Sequence, residues 1–315
     1  MTPMRLNNRR FALFAAVILS SVSSLPSVTV ADEGAISTRP PGVQGPMGGF
    51  LPPPGFYGQE SLYIYQGKAD AAPFEGKAQL NVKLLMVVNL LQGTYVASPE
   101  ILGGNIGFSA TIPVGYARLK GDLGIGPFNF SNSRSDFDIG DFALTPLIGW
   151  HLGDFHLTAS VTGTIPSGSY QKSNVVNVSL NRFAVDPTVG ATWFEPKSLI
   201  ELSAVAGYTV NFENPATHYD SGNSLHIDLA AIKHFESGFA FGAVAYGEFQ
   251  LTDDTGSGAT LGSFRGRAIG VGPMASYNVA IGDVKFNGYV RYYHEVETRN
   301  RFSGDTGFVG ASFKF

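Results

Sequence analysis

The sequence predicts an all-β protein: a closed antiparallel transmembrane β-barrel of about twelve strands, of the bacterial outer-membrane type. Three observations lead to this fold class. Long segments alternate apolar and polar residues with a period of two, the N terminus has the pattern of an export signal, and the chain ends on an alternating strand whose last residue is Phe315. Because a barrel pairs its last strand with its first, a terminal amphipathic strand is typical of this class.

The N terminus has the three parts of a secretory signal peptide. Three arginines precede an apolar run from Phe11 to Val22, which is too short to span a bilayer as a helical anchor. Thr29-Val-Ala31 then provides small residues of the kind that signal peptidases accept. We therefore predict a signal peptide at residues 1–31 and a mature chain that begins near Asp32.

Composition agrees with an exported β protein and excludes nucleic-acid binding. The chain has 21 Lys and Arg against 25 Asp and Glu, so it lacks the basic surface that nucleic-acid partners require. It has no cysteine, and therefore no disulfide contributes to its stability. The 39 glycines and the 12% of aromatic residues are typical of all-β chains.

Two regions follow the signal peptide. Residues 32–55 are rich in proline and glycine without periodicity, and they form either a plug in the barrel lumen or a loose periplasmic tail. Residues 56–315 form the predicted barrel. Its candidate strands are 56–66, 78–92, 102–117, 138–152, 154–167, 181–195, 199–212, 224–236, 239–252, 263–280, 283–295 and 305–315.

The faces and lengths of these strands favour a membrane barrel over a soluble sandwich. In 199–212 the residues Ile200, Leu202 and Ala204 share one face, while Glu201 and Ser203 share the other. Most candidates reach the roughly nine to eleven residues that a tilted membrane strand needs. Short connections alternate with longer ones, including 118–137 and 168–180, as expected for periplasmic turns and outer loops.

Charged residues on the polar faces are candidates for a lumen constriction. Opposite charges on neighbouring strands would create a transverse field that selects solutes, or they would only neutralise one another and hydrate the lumen. The candidates are Glu248, Arg265, Arg267, Arg291, Glu295, Asp228 and His226.

Three prolines inside predicted strands are candidates for kinks in the wall. Pro146, Pro187 and Pro273 cannot donate to the strand ladder, which predicts bulges or local breaks at these points. Gly270 and Gly272 support a bulge before Pro273, because the inward and outward pattern shifts there. Such kinks either open a lateral exit for a hydrophobic solute or only shape the barrel.

The sequence offers no convincing enzyme, metal or cofactor site. Among the six histidines, His156 has a serine, Ser160, on the same strand face. A nucleophile needs a base within hydrogen-bond reach and a third group that orients the base, and we find no such set. We therefore predict no enzyme, no cofactor and no metal, and we keep an outer-membrane lipid hydrolase as an alternative function.

Several motifs distributed along the chain belong together in one family. They are Leu51-Pro-Pro-Pro-Gly-Phe-Tyr57, Asn214-Pro-Ala-Thr-His-Tyr-Asp-Ser-Gly222, Gln250-Leu-Thr-Asp-Asp-Thr-Gly256, Arg265-Gly-Arg-Ala-Ile-Gly-Val-Gly-Pro273, His294-Glu295, Arg299-Asn-Arg301 and Gly304-Asp305. With them, from about Pro40 to the C terminus, the chain resembles the MetA-pathway of phenol degradation proteins. Residues 119–137 and 168–180 match nothing in that pattern.

The resemblance implies a transporter in the bacterial outer membrane, in a setting of aromatic (phenol meta-cleavage) degradation. We expect passive uptake of small hydrophobic or aromatic compounds, with a lipid hydrolase or a structural or adhesive barrel as alternatives. The expected partners are outer-membrane lipid and lipopolysaccharide, the solute, and the barrel-assembly machinery, which would recognise Phe315. The family has no established functional residues to transfer to this chain.

Overall fold

A computed structural model describes residues 31–71, 78–125, 128–260, 262–281 and 284–314. Most of the predicted signal peptide and the predicted assembly signal, Phe315, therefore lie outside the described residues. Within those residues there are a short 3-10 turn (Glu33–Ala35) and thirteen strands. The strands are β1 (Gly55–Ala71), β2 (Ala78–Ile101), β3 (Gly104–Ile125), β4 (Phe128–Ile139), β5 (Phe142–Leu152), β6 (Phe155–Ile165), β7 (Ala184–Glu195), β8 (Ile200–Asn211), β9 (Ser224–His234), β10 (Phe239–Gln250), β11 (Arg267–Ile281), β12 (Val284–Arg299) and β13 (Ser303–Lys314).

The strands form one sheet that closes on itself. Each strand pairs antiparallel with its neighbours, and the ring closes where β1 pairs with β13, from Tyr57 opposite Lys314 to Lys68 opposite Ser303. Among the described residues, closure gives every strand except β4 a strand partner on both edges, as backbone groups in a membrane require; β4 pairs on one edge only, with β3. The predicted closed antiparallel barrel is confirmed.

Thirteen strands make twelve positions in the wall, because β4 and β5 share one. Near the short turns, β3 pairs with β5 over residues 105–111, and farther along it pairs with β4 over 114–125. Gly140 and Asp141 lie between β4 and β5. Asp141 is buried and accepts hydrogen bonds from the backbone of Gly168, Leu180 and Asn181, so the 166–183 connection packs against this break.

Strand length explains where the sequence prediction failed. The structure continues β3 to Ile125 and begins β4 at Phe128, so most of the predicted loop 118–137 is a β-hairpin. The β4 strand of this hairpin carries polar residues on both faces and therefore lacks a period of two, whereas the end of β3 keeps the alternation of Leu119 and Leu123 with Lys120 and Asp122. With 24 residues, β2 is about twice as long as a membrane span and projects beyond it at the long-loop end.

The outer surface of the wall is apolar. Large side chains that are more than a third exposed point outward on several strands, among them Leu157, Leu202, Leu229, Phe241 and Val290. Such a continuous apolar surface is stable in lipid rather than in water. The protein is therefore an outer-membrane β-barrel, with its short turns at the periplasmic end and its longer connections outside. Among the described residues there is no helix with the length and hydrophobicity of a membrane span.

Candidate functional site

The barrel interior holds the N-terminal segment, residues 32–54, which precedes β1. Its contacts with the wall run from Asp32, beside the long outer connections, to Phe50, beside the periplasmic turn of β5 and β6. The segment is largely irregular, so its backbone groups bond to wall side chains instead of to a regular ladder. Whether it closes the pore to solutes stays a prediction.

At the long-loop end, two arginines hold the start of the segment. Arg182, which is 1% exposed, donates to the carbonyl of Ile36 and to the Thr38 hydroxyl and lies 3.7 Å from the Asp32 carboxylate. Arg301 lies 3.4 Å from the other oxygen of Asp32. Burial raises the pKa of Asp32 to about 6, although both guanidinium groups act to lower it.

In the middle of the lumen, wall carboxylates bind groups of the segment. Arg39 forms an ion pair with Asp228, which is 1% exposed. The Ser37 hydroxyl donates to Glu248 Oε1 over 2.6 Å, and Arg301 reaches the same oxygen at 3.1 Å. These contacts give Asp228 and Glu248 donors from the segment and from Arg301, whereas a buried carboxylate without partners would be strongly unfavourable.

Below this level, Arg291 binds the segment backbone. Its guanidinium donates to the carbonyl oxygens of Gly42, Val43 and Gln44 at 2.9 to 3.2 Å. Tyr293 donates from its hydroxyl to the same Gly42 carbonyl. A guanidinium that is 5% exposed and bound to neutral carbonyls fixes the path of the chain rather than a solute.

At the periplasmic end, glycines let the segment touch the wall directly. A Cβ added at Gly190 on β7 would overlap the carbonyl oxygen of Gly48, and one added at Gly49 would overlap the backbone of β6 and β7. The Gly49 amide donates to Thr192 Oγ1 over 2.9 Å. Phe50 ends this part of the segment, with its ring 4.8 Å from that of His156.

The interior has two chemically different sides. The polar half, on β7 to β10, presents buried hydrogen-bonding and charged side chains; they are Asp186, Thr192, Glu201, Ser203, Asn211, His226, Asp228 and Glu248. The apolar half, on β1 to β3 and β13, presents Tyr63, Leu84, Met86, Val88, Ala117 and Phe308. Ile36 and Val43 of the N-terminal segment pack against the cluster that contains the apolar half.

The structure places five of the seven constriction candidates inside the barrel. Besides Glu248, Asp228 and Arg291, His226 points inward and its Nε2 lies 3.0 Å from both oxygens of Asp186. Glu295 accepts from Tyr246 Oη at 2.9 Å and from the Gly304 amide at 2.7 Å. Each of the five has a partner on the wall or on the segment, so none of these charges faces an open lumen.

The prediction is wrong for the other two candidates, Arg265 and Arg267, which lie outside the lumen. Arg265 lies in the outer connection and pairs with Asp253, both side chains being about half exposed. Arg267 lies on the outward face of β11 and pairs with Glu297. The register does shift between Ile269 and Gly270, but the extra residue lies on β12, so the alternation of β11 continues unchanged and keeps Arg267 outside.

Each of the three wall prolines interrupts the strand pairing on one side without shifting the register. Pro146, Pro187 and Pro273 all point outward, and each stays paired with the strand on one side. On the other side the pairing skips the proline and the residue before it, and then resumes in the same register. Of the bulges or local breaks expected at these prolines, the structure shows local breaks in the pairing, and the missing proline donor explains them. Whether the gaps serve as a lateral exit stays a prediction.

Three groups that hold the segment escaped the sequence analysis: Arg39, Arg182 and Arg301. They lie outside regular alternation, in the segment or in connections, where periodicity carries no information. Arg39 had one signal, as the single basic residue in the Pro- and Gly-rich region.

The pair His156 and Ser160, considered above for a hydrolase, is not in contact. Within the described residues, the ring nitrogen of His156 contacts that of His151 at 2.8 Å, and not Ser160.

Comparison with known proteins agrees with this architecture. The profile of the family described as MetA-pathway of phenol degradation matches residues 67–309. Among solved structures, the COG4313 outer membrane channel from Pseudomonas putida F1 superposes with a TM-score of 0.68 at 14% identity, covering 84% of this chain and 97% of that one.

Two further structures are less similar. A Pseudomonas aeruginosa FadL homologue gives a TM-score of 0.35 at 10% identity, covering 91% of this chain and 94% of that one. The transport unit of the autotransporter AIDA-I from Escherichia coli gives 0.40 at 12% identity, covering 83% and 90%. Both scores are too low to indicate a shared fold. A search of curated protein sequences finds no match.

Proposed function

Because the chain belongs to the MetA-pathway of phenol degradation family, we propose that it is a channel for passive uptake of small hydrophobic or aromatic compounds across the outer membrane. The family profile covers most of the barrel and connects it with aromatic degradation. A solved structure that shares its fold is described as an outer membrane channel. A barrel of about twelve strands encloses a lumen that suits one small solute rather than a wide aqueous pore.

The observation that carries the proposal is the apolar half of the interior. Leu84, Met86 and Val88 occupy a wall that faces the lumen, where a channel for ions or sugars would present polar groups. Tyr63 and Phe308 lie beside them with their ring centroids 5.2 Å apart. An aromatic solute gains from contact with such a surface, whereas a sugar or an ion loses hydration there.

In this proposal the N-terminal segment occupies the solute path at rest. Its Ile36 and Val43 pack against the apolar cluster that includes the apolar half, while Ser37 and Arg39 bind Glu248 and Asp228 on the polar half. A solute that takes over the apolar contacts compensates for their loss, because one apolar surface replaces another, so displacement of the segment costs chiefly its polar contacts. The channel would therefore open for hydrophobic compounds and stay closed to polar ones.

Uptake by whole cells tests this function. In a strain lacking the gene, the initial uptake rate of a panel of labelled aromatic compounds is measured at low external concentration, where outer-membrane permeability limits flux. We expect slower uptake of at least one aromatic compound, restored by the intact gene, and unchanged uptake of a sugar of similar size. Unchanged uptake across the panel would contradict the channel function and would favour a structural or adhesive barrel.

A further inference from the structure

Asp254, in the outer connection after β10, is a fully buried carboxylate with an unusual set of partners. It is 0% exposed, and its oxygens accept from the Gly222 amide at 3.0 Å, Gln250 Nε2 at 2.7 Å and Tyr219 Oη at 2.8 Å. The fourth donor is the backbone nitrogen of Asp32, at 3.1 Å. All four donors are neutral, and no ion pair to Asp254 occurs among the residues that the structure describes.

The charges around Asp254 do not balance. Three buried carboxylates, Asp32, Glu248 and Asp254, share the two guanidinium groups of Arg182 and Arg301. Both arginines bind Asp32 and Arg301 also binds Glu248, which leaves Asp254 without a cation. The raised pKa of Asp32 reflects the same burial of negative charge. A buried cluster of this kind is stable when one more positive charge is present.

The backbone at Asp32 gives a second, independent observation. Asp32 has φ of 65°, in the left-handed region that disfavours residues with a Cβ. The unfavourable contact at positive φ is between the Cβ of Asp32 and the carbonyl group of the residue before it. If the chain began at Asp32, that carbonyl group would be absent and the conformation would carry no strain.

We propose that the buried pocket around Asp254 is a binding site for the α-ammonium group of Asp32, created when the chain is cut between Ala31 and Asp32. Water hydrolyses this peptide bond under the action of a signal peptidase during export. The carboxylate leaves with Ala31, and the new amine of Asp32 takes up a proton. The ammonium group then lies where the amide nitrogen lies now, 3.1 Å from Asp254 Oδ2, and supplies the missing positive charge.

The site couples processing to the docking of the N-terminal segment. In the uncut chain the nitrogen of Asp32 is a neutral amide, and Ala31, which is 0% exposed, is buried beside it and donates from its own amide to the Asn300 carbonyl. Removal of Ala31 leaves room for the larger ammonium group. The start of the segment is then held by an ion pair only in the mature protein. This role is independent of the solute that the barrel carries.

N-terminal sequencing of the protein purified from outer membranes is the first test. We expect the sequence Asp-Glu-Gly-Ala-Ile, starting at Asp32. A mature chain that starts at any other residue would place its ammonium group away from Asp254 and would overturn the proposal.

The second test uses the mature chain refolded in detergent, with Asp32 either free or acetylated at its α-amino group. The thermal midpoint of unfolding is measured for the wild type, for Asp254→Asn and for the control Asp253→Asn, whose carboxylate pairs with Arg265 on the exposed surface. We expect acetylation to lower the midpoint of the wild type and of Asp253→Asn by about 4 °C or more, and to have little effect in Asp254→Asn. Equal effects of acetylation in all three proteins, or no effect in any, would overturn the proposal.

Discussion

The two halves of the barrel interior hold the same segment by different physical means. On the polar half, Arg39 binds Asp228 and Ser37 binds Glu248, so geometry and charge fix the position of the chain. On the apolar half, Ile36 and Val43 pack against a cluster that includes Leu84 and Met86, and these contacts depend on area rather than direction. The comparison indicates that the polar half specifies where the segment rests, and the apolar half can exchange it for a solute.

Removal of residues 32–54 should have the largest effect, because it uncovers both halves together. We expect the shortened barrel to conduct in planar bilayers in clear steps, whereas the complete protein stays closed. The shortened protein must first show heat-modifiable migration on a gel, as a folded barrel does. Equal conductance of the folded complete and shortened proteins would show that the segment does not obstruct the lumen.

Arg39→Ala should release the segment from the polar half alone. Asp228 would stay buried without its cation, which costs about 3–5 kcal/mol. We expect the segment to become accessible to an added protease while the barrel itself resists digestion. Arg267→Ala is the matched control, because its ion pair with Glu297 lies on the outer surface and contributes about 0–1 kcal/mol. Equal protease sensitivity of the two variants would contradict the anchoring role of Arg39.

Met86→Gln should weaken the apolar half. The buried amide lacks hydrogen-bond partners there, so we expect the uptake rate of an aromatic solute to fall about tenfold. Thr209→Val is the matched control, since it makes an equally buried position of the wall less polar. A preference for aromatic over polar solutes that is the same in both variants would show that the apolar half does not select the solute.

Gly190→Ala should have the smallest effect, confined to the periplasmic end. The added methyl group overlaps the Gly48 carbonyl, and we expect the segment to shift at a cost of about 1–3 kcal/mol. Hydrogen exchange at the Gly49 amide, which now donates to Thr192, should become faster. An unchanged exchange rate would mean that the wall, and not the segment, shifts to accommodate the added methyl group.

Strict alternation allowed much of the wall to be predicted from the sequence. In β8 and β10, polar residues such as Glu201 and Glu248 alternate with Leu202 and Phe241, and the structure places the polar set inside. The same rule does not apply to β2. Leu84, Met86 and Val88 lie inside the barrel although they are apolar, because this strand is largely apolar on both faces and its pattern does not distinguish lipid from lumen.

The candidate site was less predictable, because its partners are distant in the chain. Arg39 and Asp228 are 189 residues apart, and nothing in the spacing of either connects them. The outward position of Arg267 depends on which of two paired strands carries a bulge, and a single strand contains no such information.

A reversible disulfide between the segment and the wall tests the central claim most directly. Thr38 Oγ1 lies 2.7 Å from Asn211 Oδ1, so Thr38→Cys with Asn211→Cys places two thiols on neighbouring sites of the segment and the wall, in a chain that has no other cysteine. Uptake of the aromatic solute identified in the cell assay is measured with the same protein oxidised and reduced. If the segment must move, oxidation abolishes uptake and reduction restores it. Equal uptake in both states, with the disulfide verified by mass spectrometry, would contradict the account.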